Sequence, residues 1–600
     1  MKHFAVLSAD SRYRGKVLAA AARTFGNCSE WPEPMGFELT ALGYRELLVW
    51  GHDSEDVLDA GTHQAALLMG LSRLDGDGER LTPRAVLRRV AGSGLEALAD
   101  VAPPQSFVLA FGDPVEIYAA TDRAGISAVY RGERDGTAVA SSSARLIAAL
   151  LGCALDEDAE CALAALGEFP ATDTPFRGVH RLAGGEYVRV SVDGLRVARY
   201  QPPVAPHRLG EDLDGLVKRG VAAVRASVDA CLSAYPDASL ELSGGLDSRL
   251  ILASILAAGH QPSECVTLGE PGRPDVVVAG RLASRYGMPH RLVDLQDMSA
   301  LTPAEALALA DTAGRRRDYS GNCVSLGVLD WVEPRAGTQA RFSGQNGELA
   351  RGFYYPFQPA SPRTTGALAR ALVRWRLMAN ERASGELFTA EATAAGVRRA
   401  IQTTVALLER PGGDWLTATD VLYLDWRMQR WVGTDWSAAE QTRPILAPFF
   451  HAPYIEWALG APPRAKRASK LLARVLDGID PELARLPTAG GSSPHSLFAP
   501  RTVDRAERAR RTASKVAVKV RQRFAGGSGK PPVGAPLLAQ RALEALADER
   551  TGLEAVARLP FVSAEYVERV AQQREASPAT VGMLVSLRGL VSADPQSLSA

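Results

Sequence analysis

Apolar residues in the first two hundred positions come in short runs, not at helical spacing. FVLAF (107–111), VEIYAAT (115–121), AVYRG (128–132), GTAVASS (136–142) and EYVRVSV (186–192) are β-favouring and are parted by Gly, Asp and Pro. They predict a β-layered domain over residues 1–205, ending near QPPVAP. The pattern then changes. Leu240 to Leu242 reads as a short strand, and Leu250, Ile251, Ile255 and Leu256 recur at helical spacing before a stop at Gly259. A second apolar run, Cys265 to Leu268, ends at Gly269. Strand, loop, helix, strand predicts the start of a parallel-sheet α/β domain over 206–500, with helical elaboration from 367 to 480.

The last hundred residues, 501–600, differ again. RTVDRAERARRTASKVAVKVRQRF (501–524) carries nine Lys and Arg against two acids, and AGGSGKPPVGAP (525–536) has the composition of a flexible linker. The basic stretch reads either as a solvated helix face or as a dock for an acidic partner. A final helical block, from LLAQRALEAL to VGMLVSLRGLV, predicts a small C-terminal appendage.

Composition narrows the function classes. With 46% hydrophobic and 23% charged residues the chain is globular, and 600 residues exceed one ordinary core. Lys+Arg and Asp+Glu are 68 each, which gives no bias toward nucleic acid or a membrane surface. No apolar run approaches the ~20 residues of a membrane span, and the apolar core after Met1 is too short for a signal peptide. A cytoplasmic protein is expected. The six cysteines, Cys28, Cys153, Cys161, Cys231, Cys265 and Cys323, form no CxxC, so they predict neither a zinc knuckle nor a disulfide framework.

The chemistry gathers at SGGLDS (243–248). A strand turning through two glycines into a helix leaves backbone N–H groups free at the helix N-terminus, which is an anion cradle. Ser243 and Ser248 add hydroxyls, and Gly244 and Gly245 allow close approach of the backbone. Asp247 would repel a bare phosphate, so its presence implies a bridging Mg2+. The string is not GxxxxGK followed by Ser or Thr, so this is not a P-loop.

SGGLDS resembles the pyrophosphate loop of ATP pyrophosphatases, and other segments extend the likeness to the asparagine synthetase family over about 100–500. TDRAGISAVY and AVASSSARLIAALLG resemble the family's glutaminase-like domain through Asp122, Arg123, Gly125, Tyr130 and Ser141 to Ser143. TPFRGVHRLAGGEYV matches the segment that closes that domain. The implied fold is a nucleophile-hydrolase-like domain followed by an ATP-binding domain. In TLGEPGRPDVVVAGRLASRYGMPHRLV, Gly269 falls beside the adenine, Asp275 opens a helix, and His290 precedes a strand and reads as structural. SGQNGELARGFYY (343–355) is similar to the family's SGEGSDExxGGY. That register implies Gly344 and Leu242 at the nucleotide and Glu348 with Asp247 on Mg2+, while the amide of Gln345 cannot serve as a base. RPILAPFFHAPYIEWALGAPP resembles the segment closing the domain against the loop.

Two departures shape the expected function. Glutamine-hydrolysing members carry a cysteine nucleophile at position 2, where this chain has Lys2, and Cys28 carries no free α-amine. The expectation is a scaffold domain with an amine of the substrate itself as nucleophile, as in the related β-lactam synthetases and lasso-peptide cyclases. The family's catalytic lysine is also missing, its place taken by Pro487 and Thr488; Lys470, Lys466 and Arg485 are the substitutes to test. Asp435 and Glu440 are candidates for the base or the amine anchor. The implied protein is an ATP- and Mg2+-dependent amide-forming ligase acting on a peptide or small-molecule carboxylate and amine. A lasso-type macrolactam is favoured, with a leader-peptide-binding protein and a companion protease as implied partners. An asparagine-forming amidotransferase and an ATP-binding pseudoenzyme are the alternatives.

Overall fold

The computed structural model describes residues 3–8, 15–16, 19–20, 35–38, 45–50, 57–59, 65–75, 77–101, 103–111, 116–191, 193–201, 212–378, 381–411, 413–498 and 534–593. Lys2, Cys28, most of QPPVAP, the basic stretch 501–524 and the linker up to 533 lie outside them.

The N-terminal strands form two antiparallel six-stranded sheets. The first contains β1 (His3–Ser8), β2 (Met35–Glu38), β3 (Arg45–Trp50), β8 (Tyr130–Arg134), β9 (Thr137–Ser141) and β10 (Val179–Arg181), in the order β10-β8-β9-β1-β3-β2. The second contains β4 (Val57–Asp59), β5 (Ala65–Met69), β6 (Ser106–Phe111), β7 (Glu116–Thr121), β11 (Glu186–Ser191) and β12 (Gly194–Arg199), in the order β12-β11-β7-β6-β5-β4. Alternation along the strands sends Phe4, Val6, Leu47 and Val49 inward against Leu67, Val108, Ala119 and Val188. The opposite faces are not left to water. Leu146 and Ile147 of the helix Ala144–Leu151 cover the first sheet, and Val86 and Val90 of the helix Pro83–Ser93 cover the second. The result is a helix-sheet-sheet-helix sandwich, the nucleophile-hydrolase-like layering.

The second region is built on a parallel sheet of β13 (Ser239–Glu241), β14 (Cys265–Gly269), β15 (His290–Asp294), β16 (Arg341–Phe342) and β17 (Ile445–Leu446), in the order β15-β14-β13-β16-β17. The chain winds outward from β13 to β15, then restarts at β16 on the other side. The gap between the ends of β13 and β16 is therefore the topological switch point, where open α/β sheets leave a crevice. The loop after β13 is short, because the helix Asp247–Ala257 already starts at Asp247.

The C-terminal block is not a detached appendage. The helices Ala535–Glu549, Thr551–Ala557, Ala564–Gln573 and Pro578–Ala593 share one apolar core with the helices Pro303–Arg315 and Cys323–Val332. Their buried Leu538, Leu543, Leu584 and Leu587 meet Leu307, Val324 and Val328 in that core. Gly582 and Gly589 allow this approach, since a Cβ on either would lie 2.0 Å from Asn322 Oδ1 or Tyr319 Oη respectively.

Interdomain contacts are polar and specific. Asp122 accepts N–H bonds from Ala124, Ile126 and Ser127 at 2.8–3.1 Å and from Gln105 at 3.3 Å. The turn so fixed packs its Gly125 on Gln429 and presents its Ile126 carbonyl to Arg181 and Gly433. Arg123 pairs with Glu456 at 2.8 Å. Ser143 and the Ala144 N–H donate to Asp318, which reaches across from the second region. The DRAG and SSS strings that carry the family likeness thus sit at the contact between the two regions.

Candidate functional site

The ends of β13 and β16 open into a cavity of about 490 Å3. Its wall includes Leu242, Ser243, Asp247, Ser248, Gly344, Gln345, Glu348 and Asp435, so most of the residues singled out by sequence meet there. Apolar side chains, including Leu295, Leu326, Leu329, Trp431 and Trp436, supply the far wall, and Gly167 and Glu168 of the N-terminal domain close one edge.

The loop is held from within. Ser248 Oγ accepts the Ser243 N–H at 3.0 Å, and the two hydroxyls lie 3.0 Å apart. Thr267 donates to the Leu242 carbonyl at 2.7 Å and lies 2.9 Å from His290 Nε2, which places His290 in a structural relay behind the loop. The Gly244 N–H is 3.0 Å from Asp275 Oδ1. A carboxylate thus already rests on the backbone that was read as a cradle for phosphate oxygens. The following helix has no side-chain cap at its start, leaving its first N–H groups for an anion.

The second loop lies against the first at glycine distances. A Cβ on Gly344 would come 3.0 Å from the Ser248 N, and one on Gly347 would come 2.4 Å from Asp247 Oδ1. Asn346, at φ 74°, makes the left-handed turn between them and donates to the Phe449 carbonyl at 2.7 Å. Tyr454 donates to the Gly347 carbonyl at 3.0 Å. The PFFHAPY segment therefore closes on the second loop.

Asp247 and Glu348 come together, but around Arg351. Its guanidinium is 3.0 Å from Asp247 Oδ2 and 2.8 Å from Glu348 Oε1, while Tyr423 donates to Glu348 Oε2 at 3.0 Å. Burial pushes the Asp247 carboxyl up to about 7 against the pull of Arg351. Three of the four carboxylate oxygens are engaged, and the fourth, Asp247 Oδ1, is buried and faces Gly347. Mg2+ needs a near-octahedral oxygen shell. The direct Mg2+ site expected from Asp247 and Glu348 does not fit this arrangement. Among the described residues no group of three or more His, Cys, Asp or Glu is placed to hold a metal ion.

Other expected residues fall elsewhere. Glu440 does not line the cavity. Its carboxylate accepts N–H bonds from Leu71 at 2.9 Å, Ser72 at 2.5 Å and Ile445 at 2.8 Å, fastening the N-terminal domain to β17, and burial pushes it up to about 7. Lys470 is exposed at the start of the helix Lys470–Ile479 and is likewise absent from the cavity wall. Lys466 is buried against Asp420 at 2.7 Å, and Arg485 is exposed. Asp435 does line the cavity, yet Arg317 pairs with it at 2.8 Å and also holds Asp330. Gly245 and Gly269 back the loop and the sheet end without reaching the cavity wall.

Pro487 and Thr488, in the place of the missing lysine, do lie beside the loop. Arg249 donates to the carbonyls of Leu486 at 2.6 Å and Pro487 at 2.9 Å, and the Ala489 N–H donates to the Gly244 carbonyl at 3.0 Å.

Glu381 is the residue that sequence reasoning missed. It lines the cavity, accepts from Asn322 Nδ2 and Ser325 Oγ at 3.2 Å each, and has no paired cation among the described residues. Burial raises its pKa. Among the other carboxylates lining the cavity, Glu168 pairs with Arg427, Glu241 with Arg341 and Glu333 with Arg443. Glu381 sits in NERAS, a string with no motif, and only the fold brings it to the helix Cys323–Val332.

Residues 221–476 match the family model for asparagine synthase. That segment is similar to asparagine synthase domains. The family consists of ATP-dependent ligases, and the domain's switch-point loops are the parts of the cavity that the motifs identified. No curated protein matches the chain in sequence. Solved structures with a similarity include the glutamine phosphoribosylpyrophosphate amidotransferase from B. subtilis complexed with ADP and GMP, at 10% identity over 49% of this chain and TM-score 0.23. A structure of the allosteric regulatory enzyme of purine biosynthesis stands at 11% identity over 49% of this chain, also at TM-score 0.23. The matched part spans 65% of each of those chains.

Proposed function

We propose that the asparagine synthase domain adenylates a carboxylate and passes the acyl group to an amine of the same substrate. The observation that carries this reading is a cavity lined both by the glycine loop and by the cation-free carboxylate of Glu381. A substrate carboxylate oxygen attacks the α-phosphorus of ATP, and the bond to the β-phosphate breaks to release pyrophosphate. The amine nitrogen then attacks the acyl carbon, its proton passes to Glu381, and the bond to AMP breaks. Loop N–H groups receive charge at the phosphate end, and a half-buried carboxylate of raised pKa is suited to accept a proton from an ammonium or amine.

An amine and a carboxylate on one molecule gain high effective concentration when both lie in the cavity. The apolar wall with Trp431 and Trp436 suits a peptide segment, and we assign a macrolactam product of the lasso type. The test is mass spectrometry of candidate peptides with ATP and protein. Loss of one water together with AMP formation is expected; amide formation between two molecules would sink the macrolactam and spare the adenylating centre. The complete helix-sheet-sheet-helix domain favours a second reading, an asparagine-forming amidotransferase. Release of glutamate from glutamine by the pure protein would decide for it.

A further inference from the structure

Resting on that reading of the nucleotide site, we propose that Arg351 is a built-in counter-cation, so that Asp247 and Glu348 hold a guanidinium in place of a directly bound divalent ion. Arg351 is a positioning residue here, acting on the nucleotide through the two carboxylates.

Three observations support it. The guanidinium spans the two carboxylates at 3.0 and 2.8 Å, and a planar fork fits such a bridge where an ammonium could not hold both in fixed register. The turn that delivers it is tightly specified, running from Asn346 at φ 74° through Gly347–Arg351 to Gly352 at φ 66°, which sets the backbone of Arg351 beside the loop. Tyr423 occupies the outer oxygen of Glu348, and Gly347 backs the remaining oxygen of Asp247, which leaves no pair of convergent oxygens for a metal. Two carboxylates facing a polyphosphate would otherwise repel it strongly in a partly buried site. One fixed positive charge halves their net charge without recruiting an ion. No lysine stands at Pro487 or Thr488, so Arg351 is also the cation nearest the loop's acid among the described residues.

The experiment uses the full chain and begins without nucleotide. Mn2+ is titrated and its free signal is followed by electron paramagnetic resonance. Wild type should bind no Mn2+ at this site, whereas Arg351→Met should create a site that the further change Asp247→Asn removes. Arg351→Lys, which keeps the charge, should bind none, and a thermal melt checks that each variant is folded. In parallel, α,β-methylene-ATP is titrated with Mg2+ and with EDTA. Wild type should weaken by less than roughly tenfold in EDTA and Arg351→Met by well over that, because its carboxylates then need the ion. A wild-type Mn2+ site abolished by Asp247→Asn would overturn the proposal. If α,β-methylene-ATP binds under neither condition, the nucleotide reading fails, and the Mn2+ titration still decides what the carboxylates hold.

Discussion

The turn at Asp122–Gly125 and the loop at Ser243–Ser248 use the same parts, glycine, backbone N–H and one aspartate, to opposite ends. At Asp122 both oxygens of the carboxylate are answered: four N–H groups converge on this one fully buried group, and Gly125 lets Gln429 and Gly184 approach. Around Asp247 the accounts stay open. One carboxylate oxygen is buried without a partner, the Gly244 N–H rests on the side chain of Asp275, and the helix behind is uncapped. A closed hydrogen-bond set stabilises a fold; an open one facing a cavity is ready to exchange partners with a ligand.

The comparison can be broken most severely at the loop. Asp247→Asn should reduce ATP–pyrophosphate exchange by roughly 10³-fold while changing the melting temperature little, since the amide oxygen can still accept from Arg351 and Arg351 keeps its pair with Glu348. An unaltered exchange rate would remove the loop from the chemistry. Glu381→Gln should come next, slowing amide formation by about 10²-fold while exchange stays within about threefold, because the proton acceptor acts after adenylation. Equal losses in both assays would reassign Glu381 to nucleotide binding.

At the closed turn the effect should be on stability. Asp122→Ala leaves up to four N–H groups unanswered and should cost on the order of 3 kcal/mol, read as a lower melting temperature with nucleotide affinity unchanged in the folded fraction. The smallest effect is expected at His451, buried in the segment that closes on the second loop and held by burial at about 4. A histidine whose folded pKa lies below its unfolded value of about 6.5 contributes stability above pH 6.5 that is lost as pH falls toward 4. By pH 5 the loss should reach about 2 kcal/mol. Melting curves at pH 7 and pH 5 should therefore diverge less for His451→Gln than for wild type.

Local signals carried much of this into the sequence. The short β-favouring runs became β6, β7, β8, β9 and β11, and the strand, glycine loop and helix at 240–259 lie where the pattern placed them. Closely spaced motifs were legible because the close approach of neighbouring segments leaves little room for a Cβ at 244, 344 and 347. Side-chain partners were not. Glu440 and Asp435 look alike as carboxylates near one motif, yet one fastens two domains and the other faces the cavity; partners 369 and 118 residues away in sequence separate them. Glu381 lacked any local signature, and Arg351 stands at a position that the family pattern leaves open.

The packing of the C-terminal helices has a consequence in time. Residues 534–593 leave the ribosome after all the residues that line the cavity, yet Gly582 and Gly589 seat the strip from Tyr319 to Asn322, and Thr580 receives the Ser384 N–H at 3.0 Å. Asn322 and Glu381, on either side of that seat, form one end of the cavity. The nascent chain can complete its sandwich and its parallel sheet early, but the part of the pocket around Asn322 and Glu381 waits for the final helices. Synthesis therefore yields the glycine loop first and the closed cavity last.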